Sequence, residues 1–191
     1  MNSPDLSTCN DTARLILRAY TAADAPMYFR LSQRNRSHLT TFESGNALNS
    51  IHSEADAEAV IADFLRCWTD NRAYFLGAFL KGTDEFAAQV YVGVVNPILP
   101  EFEIGYIADA DHEGKGYVTE AVKGVMTWLF KDLGACRLRL ECDETNLRSI
   151  RVAERCGFIR EGLRRETKRS TDGSCTGDLL YGLLRNEYLS Q

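Results

Sequence analysis

Two glycines separated by a lysine, in Gly114-Lys115-Gly116-Tyr117-Val118-Thr119, stand where a strand feeds a helix. Before them, Glu101 to Ile107 alternates polar and apolar residues like a half-buried strand. After them, Val118, Val122, Val125, Leu129 and Leu133 recur at helical spacing, with Ala121 and Met126 widening the stripe. Unpaired N–H groups and the positive end of a helix dipole favour an anion at such a junction, above all a phosphate. Glycine suits the position because a side chain blocks close approach and because the turn can require positive φ. A Walker loop is a poor fit, since Asp109 replaces its first glycine and Gly116 its Ser or Thr. A dinucleotide fingerprint is equally poor, with Thr119 at the third glycine and the segment past the middle of the chain. A glycine-rich turn without a ligand stays open at this point.

A second constellation follows about thirty residues on. Asn146 is a good N-cap, Ile150 and Ala153 share one helical face, and Gly157 is placed as a left-handed C′ residue. Together, Glu113-Gly114-Lys115-Gly116-Tyr117-Val118-Thr119-Glu120-Ala121 and Asn146…Ser149-Ile150-Arg151-Val152…Cys156-Gly157-Phe158-Ile159…Glu161-Gly162 resemble the GNAT superfamily of acetyl-coenzyme A dependent N-acetyltransferases. The likeness is nearest to the ribosomal-protein-alanine N-acetyltransferase branch. It runs from about Ala13 to about Tyr188, with the specific motifs between Glu101 and Gly162.

The resemblance implies acetyl-CoA as co-substrate and no metal. It implies that backbone N–H groups of Gly114, Lys115, Gly116, Val118 and Thr119 hold the pyrophosphate, with Ile107, Tyr117, Asn146 and Ser149 completing the cofactor site. Glu113 and Val118 depart from the wider pattern, which has Gln or Arg and Gly or Ala there. The reaction is acyl transfer to an amine, which must lose a proton to a general base, while the departing thiolate gains one. Much of the superfamily draws that proton from a Tyr at the position of Ala153 here. In the resembled branch Ser149 corresponds to the proton donor and Glu161 to the base; Glu103, on the strand beside the expected thioester, is a second base candidate acting through water. Each has a plainer alternative: Ser149 as a backbone cap, Glu161 as a solvated carboxylate beside Arg160, Arg164 and Arg165, and Glu103 as ordinary strand alternation. Tyr106 and Tyr117 read as core or cofactor-packing residues.

The elements that must position these residues follow from periodicity. Arg14–Tyr20 reads as a strand, Thr21 as the cap of a helix to about Gln33, and Ser53 to about Asn71 as a longer helix. Tyr74–Lys81, Gln89–Val95 and Glu101–Ile107 read as antiparallel strands. Cys136–Cys142 should run parallel to the last of them, because a helix joins the two. Strands near Phe158–Lys168 and Thr176–Leu184 complete an α/β (mixed α+β) fold: a mixed central sheet, splayed parallel strands as the resemblance implies, and helices on both faces. The expected organisation is a loose tail over residues 1–11 and a single N-acetyltransferase domain over 12–191. The acceptor site is expected along Thr21–Phe42 and Thr167–Asp178.

Bulk properties bound the function. The chain has 191 residues, with no run of membrane-span length and no secretory pattern, and a cytoplasmic monomer or homodimer is expected. Six cysteines without a Cys-x-x-Cys pair suggest reduced thiols, and His38, His52 and His112 read as scattered, exposed polar residues. A net charge of −5 argues against nucleic acid as a partner and favours a cationic amine. The acceptor is expected to be a primary amine, first a protein N-terminal α-amino group acetylated directly in a ternary complex. A polyamine, antibiotic or amino acid, a non-catalytic acyl-CoA sensor and an ATP- or NAD-binding protein are the alternatives.

Overall fold

Alternation and helical spacing translate into twelve elements in the computed structural model, which describes residues 11–39, 42, 46–169 and 173–190. The expected tail lies outside these residues but for Asp11, as do Thr40, Thr41 and Asp172. Strand β1 is Leu15–Ala19 and helices α1 and α2 are Ala25–Leu39 and Glu54–Thr69. Strands β2, β3 and β4 are Ala73–Leu80, Phe86–Asn96 and Glu101–Ala108. Then come α3 (Tyr117–Lys131), β5 (Arg137–Asp143), α4 (Leu147–Arg155), β6 (Ile159–Arg169), β7 (Cys175–Leu184) and α5 (Arg185–Leu189).

Two boundaries differ from the periodic reading. Thr21 leads into a 3-10 turn, Ala22–Asp24, before α1, and α1 runs on past Gln33 to Leu39. The polar run after Gln33 is a weak helix former by itself. Tertiary bonds from Arg34 and Asn35, described below, hold it. The short α5 was not anticipated. Its Arg185 Nη1 donates to the Phe130 carbonyl at 2.7 Å and so ties the last described turn to α3.

The seven strands form one sheet in the order β1-β2-β3-β4-β5-β7-β6. All neighbours are antiparallel except β4 and β5. That parallel pair holds register only at Glu101↔Arg137, Phe102↔Leu138 and Glu103↔Arg139. Beyond Glu103 the strands part, β5 staying with β7 and β4 with β3. The sheet therefore forks, and the fork opens toward the glycine turn.

The helices cover both faces. On one, Val122, Val125 and Leu129 of α3 and Ala153 of α4 pack with Val90, Val92, Ile104, Leu138 and Leu140. On the other, Tyr28 and Leu31 of α1 and Ile61 and Phe64 of α2 meet Tyr20, Phe79, Phe86 and Ile107. Buried hydroxyls in this second core are satisfied: Tyr20 and Tyr28 both donate to Gln89 Oε1 at 2.9 Å. No helix among the described residues is long and apolar enough to cross a membrane.

Candidate active site

The fork is bounded below by the glycine turn, whose shape is set by its neighbours. Gly116 is the N-cap of α3 at φ 80°, and Gly114 has φ 71°. A Cβ built on Gly114 has nothing within 4 Å, and one on Gly116 meets only Arg14 Nη2, at 3.6 Å. The protein itself thus leaves this space open. The first N–H groups of α3 have no intrahelical acceptor, and they carry the positive end of the helix dipole. An anionic diphosphate fits that donor set. Arg14, just before β1, braces the turn, donating to the Lys115 carbonyl at 3.1 Å and to Glu120 Oε2 at 2.6 Å, with its guanidinium 4.5 Å from the Tyr117 ring centre. Burial raises the Glu120 pKa, but bonds from Thr12 and Arg14 outweigh it and hold it below the ordinary value. Lys115 Nζ donates to the Asp111 carbonyl at 3.0 Å.

A buried carboxylate ties the same loop to α1. Asp109, with none of its surface exposed, accepts from Arg34 Nη2 at 2.7 Å and Asn35 Nδ2 at 2.9 Å, and pairs with His112 Nδ1 at 2.8 Å. Asn35 Oδ1 in turn accepts the Ala110 N–H at 2.8 Å. Burial pushes the Asp109 pKa up, yet the donors Asn35, His112 and Arg34 together pull it below 3.8. His112 is therefore a bonded member of a network, not the exposed polar residue expected from sequence. Asp109→Asn should cost about 2 kcal/mol by leaving buried donors poorly matched, or roughly 6 °C in melting temperature at this size. Because the folded pKa is depressed, that difference should be full above pH 3.8 and vanish as pH falls through the lowered value. Thermal melts of both proteins from pH 7 downward measure it.

Between β4 and α4 lies a cleft of about 470 Å³, lined among others by Ile107, Glu113, Val118, Asn146, Ser149 and Val152. Glu113, which would repel a phosphate, is ion-paired with Arg148 across its mouth. At the inner end Tyr106 Oη lies 2.8 Å from Ser149 Oγ and donates to the Ser149 carbonyl at 2.9 Å. The Cys142 thiol faces the same group. Burial raises its pKa, partly opposed by its bond to Ser149. A second cavity, about 60 Å³, shares Phe42, Tyr106, Asn146 and Ser149 with the first and adds Ile104, Leu140 and Lys168. The two therefore meet at Tyr106 and Ser149, in the open arms of the fork, giving a passage that runs from the glycine turn toward Lys168.

Residues 14–159 match the family described as an acetyltransferase (GNAT) domain. The chain belongs to the GNAT acetyltransferase family. It is similar to a putative ribosomal N-acetyltransferase, YdaF, of Bacillus subtilis (strain 168), 25% identical over 95% of this chain and 97% of that one. It is also similar to the ribosomal-protein-serine acetyltransferase of Escherichia coli (strain K12), 25% identical over 77% of this chain and 79% of the other. Among solved structures, RimL, a ribosomal alpha-N-protein acetyltransferase in complex with coenzyme A, superposes with a TM-score of 0.82 at 19% identity, covering 92% of this chain and 97% of that one. The fold is the GNAT fold, and the protein is an N-acetyltransferase.

The GNAT fold brings some of the residues singled out in sequence together and separates others. Ile107, Val118, Asn146 and Ser149 line the cleft, with Gly114, Lys115, Gly116 and Tyr117 between its lining residues Glu113 and Val118. Asn146 caps α4, its Oδ1 accepting the Ser149 N–H at 3.1 Å. Thr119 lines a separate groove along α3 with Thr12 and Lys123. Glu103 sits at the last paired position of the fork and accepts from Arg139 Nε at 3.0 Å. From the expected acceptor segments, Leu39, Phe42 and Lys168 reach the passage. No group of three or more metal-ligating side chains occurs among the described residues.

Glu161 stands apart. It is the extra residue of a bulge between Arg160 and Gly162, and its carboxylate is held by Arg137, which also meets Glu101 at 3.2 Å. The Arg137 bond is the main cause lowering its pKa. Gly182 makes room for it, since a Cβ there would lie 2.4 Å from Glu161 Oε1. Arg137 begins β5 and Cys142 nears its end, about 17 Å away along the strand and on the opposite face. That geometry gives Glu161 a structural partner at the closed end of the fork and does not bring it to Ser149. Tyr106 is the residue that sequence reasoning passed over as packing. The available signal was a phenol at an inward-facing strand position, which normally needs a hydrogen-bond partner.

Proposed function

We propose that this GNAT enzyme binds acetyl-CoA in the forked cleft and transfers the acetyl group directly to a protein N-terminal α-amino group. The observation that carries the reading is the passage: one end is a helix N-terminus shaped for a diphosphate, the middle holds two hydroxyls, and the other end is lined by Glu141 and Lys168. Donor and acceptor can therefore enter from opposite sides, as a ternary complex requires. Acetyl-CoA, when bound, supplies an activated thioester. The N–H groups of Gly114 to Thr119 take its pyrophosphate, while Arg148 neutralises Glu113. Ile107, Val118 and Val152 give the arm an apolar wall that excludes water.

Ser149 Oγ donates a proton to the departing sulfur as Tyr106 Oη turns its own proton from the Ser149 carbonyl to Ser149 Oγ, 2.8 Å away, and solvent then reprotonates the phenol. A phenol from β4 thus stands in for the one missing at Ala153, whose own side chain is fully buried in the core. Glu103, at the fork, accepts the proton of the attacking amine through water and passes Glu161 over as base. An α-amino group, with a pKa of about 8, yields that proton more readily than a lysine at about 10.4. The ribosomal-protein relatives support the same acceptor class.

The test is a panel of amines incubated with the full chain and acetyl-CoA and read by mass spectrometry. It comprises Ser- and Ala-initiated peptides, the same peptides with a blocked N-terminus and an internal lysine, spermidine and an aminoglycoside. Acetylation confined to the free N-termini is expected. Transfer confined to spermidine or the aminoglycoside would contradict the reading.

A further inference from the structure

Strand β6 is the outermost strand of the sheet, so one of its edges has no strand partner among the described residues. Every residue along it except Gly162 is exposed. In a chain of net charge −5 it nevertheless concentrates five cations, Arg160, Arg164, Arg165, Lys168 and Arg169, against Glu161 and Glu166. Two of the five are held: Arg164 by Glu141 and Lys168 by Asp178, at 3.0 Å. Glu141 and Lys168 line the cavity that forms the far end of the passage. Arg160, Arg165 and Arg169 take part in no ion pair among the described residues.

The backbone singles out the same place. The β6–β7 register breaks between Arg164 and Lys168, and Glu166 within the break adopts φ 53°, a left-handed conformation rare for a residue with a side chain. Gly177 on β7 permits it, because a Cβ there would lie 2.5 Å from the Arg164 carbonyl oxygen and 3.2 Å from Arg165 Cα. Bulges of this kind interrupt pairing and re-aim side chains beside active sites. Here the strained bulge lies next to the acceptor opening and carries Arg165, with Arg169 shortly beyond.

We propose that the cationic outer edge of β6 docks an acidic segment of the acceptor polypeptide, downstream of the N-terminus that enters at Lys168. The proposal rests on the N-terminal reading above and deepens it. An extended chain leaving the opening can bond its main chain to a free strand edge, and β6 offers about 35 Å of it. Carboxylates along that chain then pair with Arg165 and Arg169, which have no internal partner among the described residues. RNA would meet the same cations, but it presents no amine to the passage.

The experiment uses the full chain, acetyl-CoA and peptides that share one N-terminal sequence and differ in a downstream run of Glu, Gln or Lys. The Glu-run peptide should show a kcat/KM about ten-fold above the Gln-run peptide, and the advantage should shrink above about 0.1 M salt. Arg165→Glu/Arg169→Glu should reverse the order in favour of the Lys run. Its affinity for desulfo-coenzyme A should equal that of the wild type, showing that the fold and the glycine turn are intact. Equal rates for the three peptides in both proteins overturn the docking proposal and leave the N-terminal reading standing, as does an RNA hairpin that binds through these arginines while peptide charge has no effect. Transfer to none of the peptides while spermidine is acetylated sinks both.

Discussion

Replacing Gly116 by Glu should raise the Kd for coenzyme A about 10³-fold and leave the fold in place. The position has φ 80°, so any side chain costs about 1–2 kcal/mol of backbone strain. The added Cβ meets no protein atom nearer than Arg14 Nη2, at 3.6 Å. The loss therefore falls on the ligand: the carboxylate occupies the helix N-terminus and repels the incoming phosphates. Forfeiting two charge-assisted bonds to the diphosphate is worth about 4 kcal/mol, a Kd roughly 10³-fold higher. Calorimetric titration with acetyl-CoA and desulfo-coenzyme A reads the affinity, and a thermal melt reads the fold. Gly134→Ala is the control, because it lies past the other end of α3, open space surrounds it and only the strain at φ 67° is added. Undiminished binding by Gly116→Glu would move the diphosphate site elsewhere.

The second large effect falls on turnover. Tyr106→Phe and Ser149→Ala should each lower kcat by about 10² and leave the affinity for acetyl-CoA within about two-fold, because neither touches the diphosphate end. The two hydroxyls lie 2.8 Å apart and act on one proton, so the double variant should be little worse than either single one. Single-turnover measurements with a peptide acceptor separate the chemical step from product release. A pair of hydroxyls that only pack would instead lower the melting temperature and leave kcat unchanged.

What was legible in the sequence is what neighbouring residues decide together. Gly114 and Gly116 at the start of an apolar helix, and Asn146 and Gly157 at the ends of a short one, are local signals, and the structure realises both as caps with positive φ at the glycines. The fork could be anticipated only through the family, since nothing in Cys136–Cys142 records where its pairing with β4 stops. The partnership of Tyr106 with Ser149 spans 43 residues and leaves no mark on either neighbourhood. Glu161 shows the reverse case. It sits beside a recognisable glycine motif, but a one-residue bulge turns it to Arg137, 24 residues earlier. The last turns of α1 were missed for a similar reason, since the bond between Asn35 and Asp109 that secures them spans 74 positions.

A structure of the complex with acetyl-CoA is the most direct measurement. The expected result has the pyrophosphate on the N–H groups of Gly114 to Thr119, the arm between β4 and α4, and the thioester sulfur within hydrogen-bond reach of Ser149 Oγ. A pyrophosphate bound away from the start of α3, or a sulfur distant from both Tyr106 and Ser149, would contradict transfer through the fork.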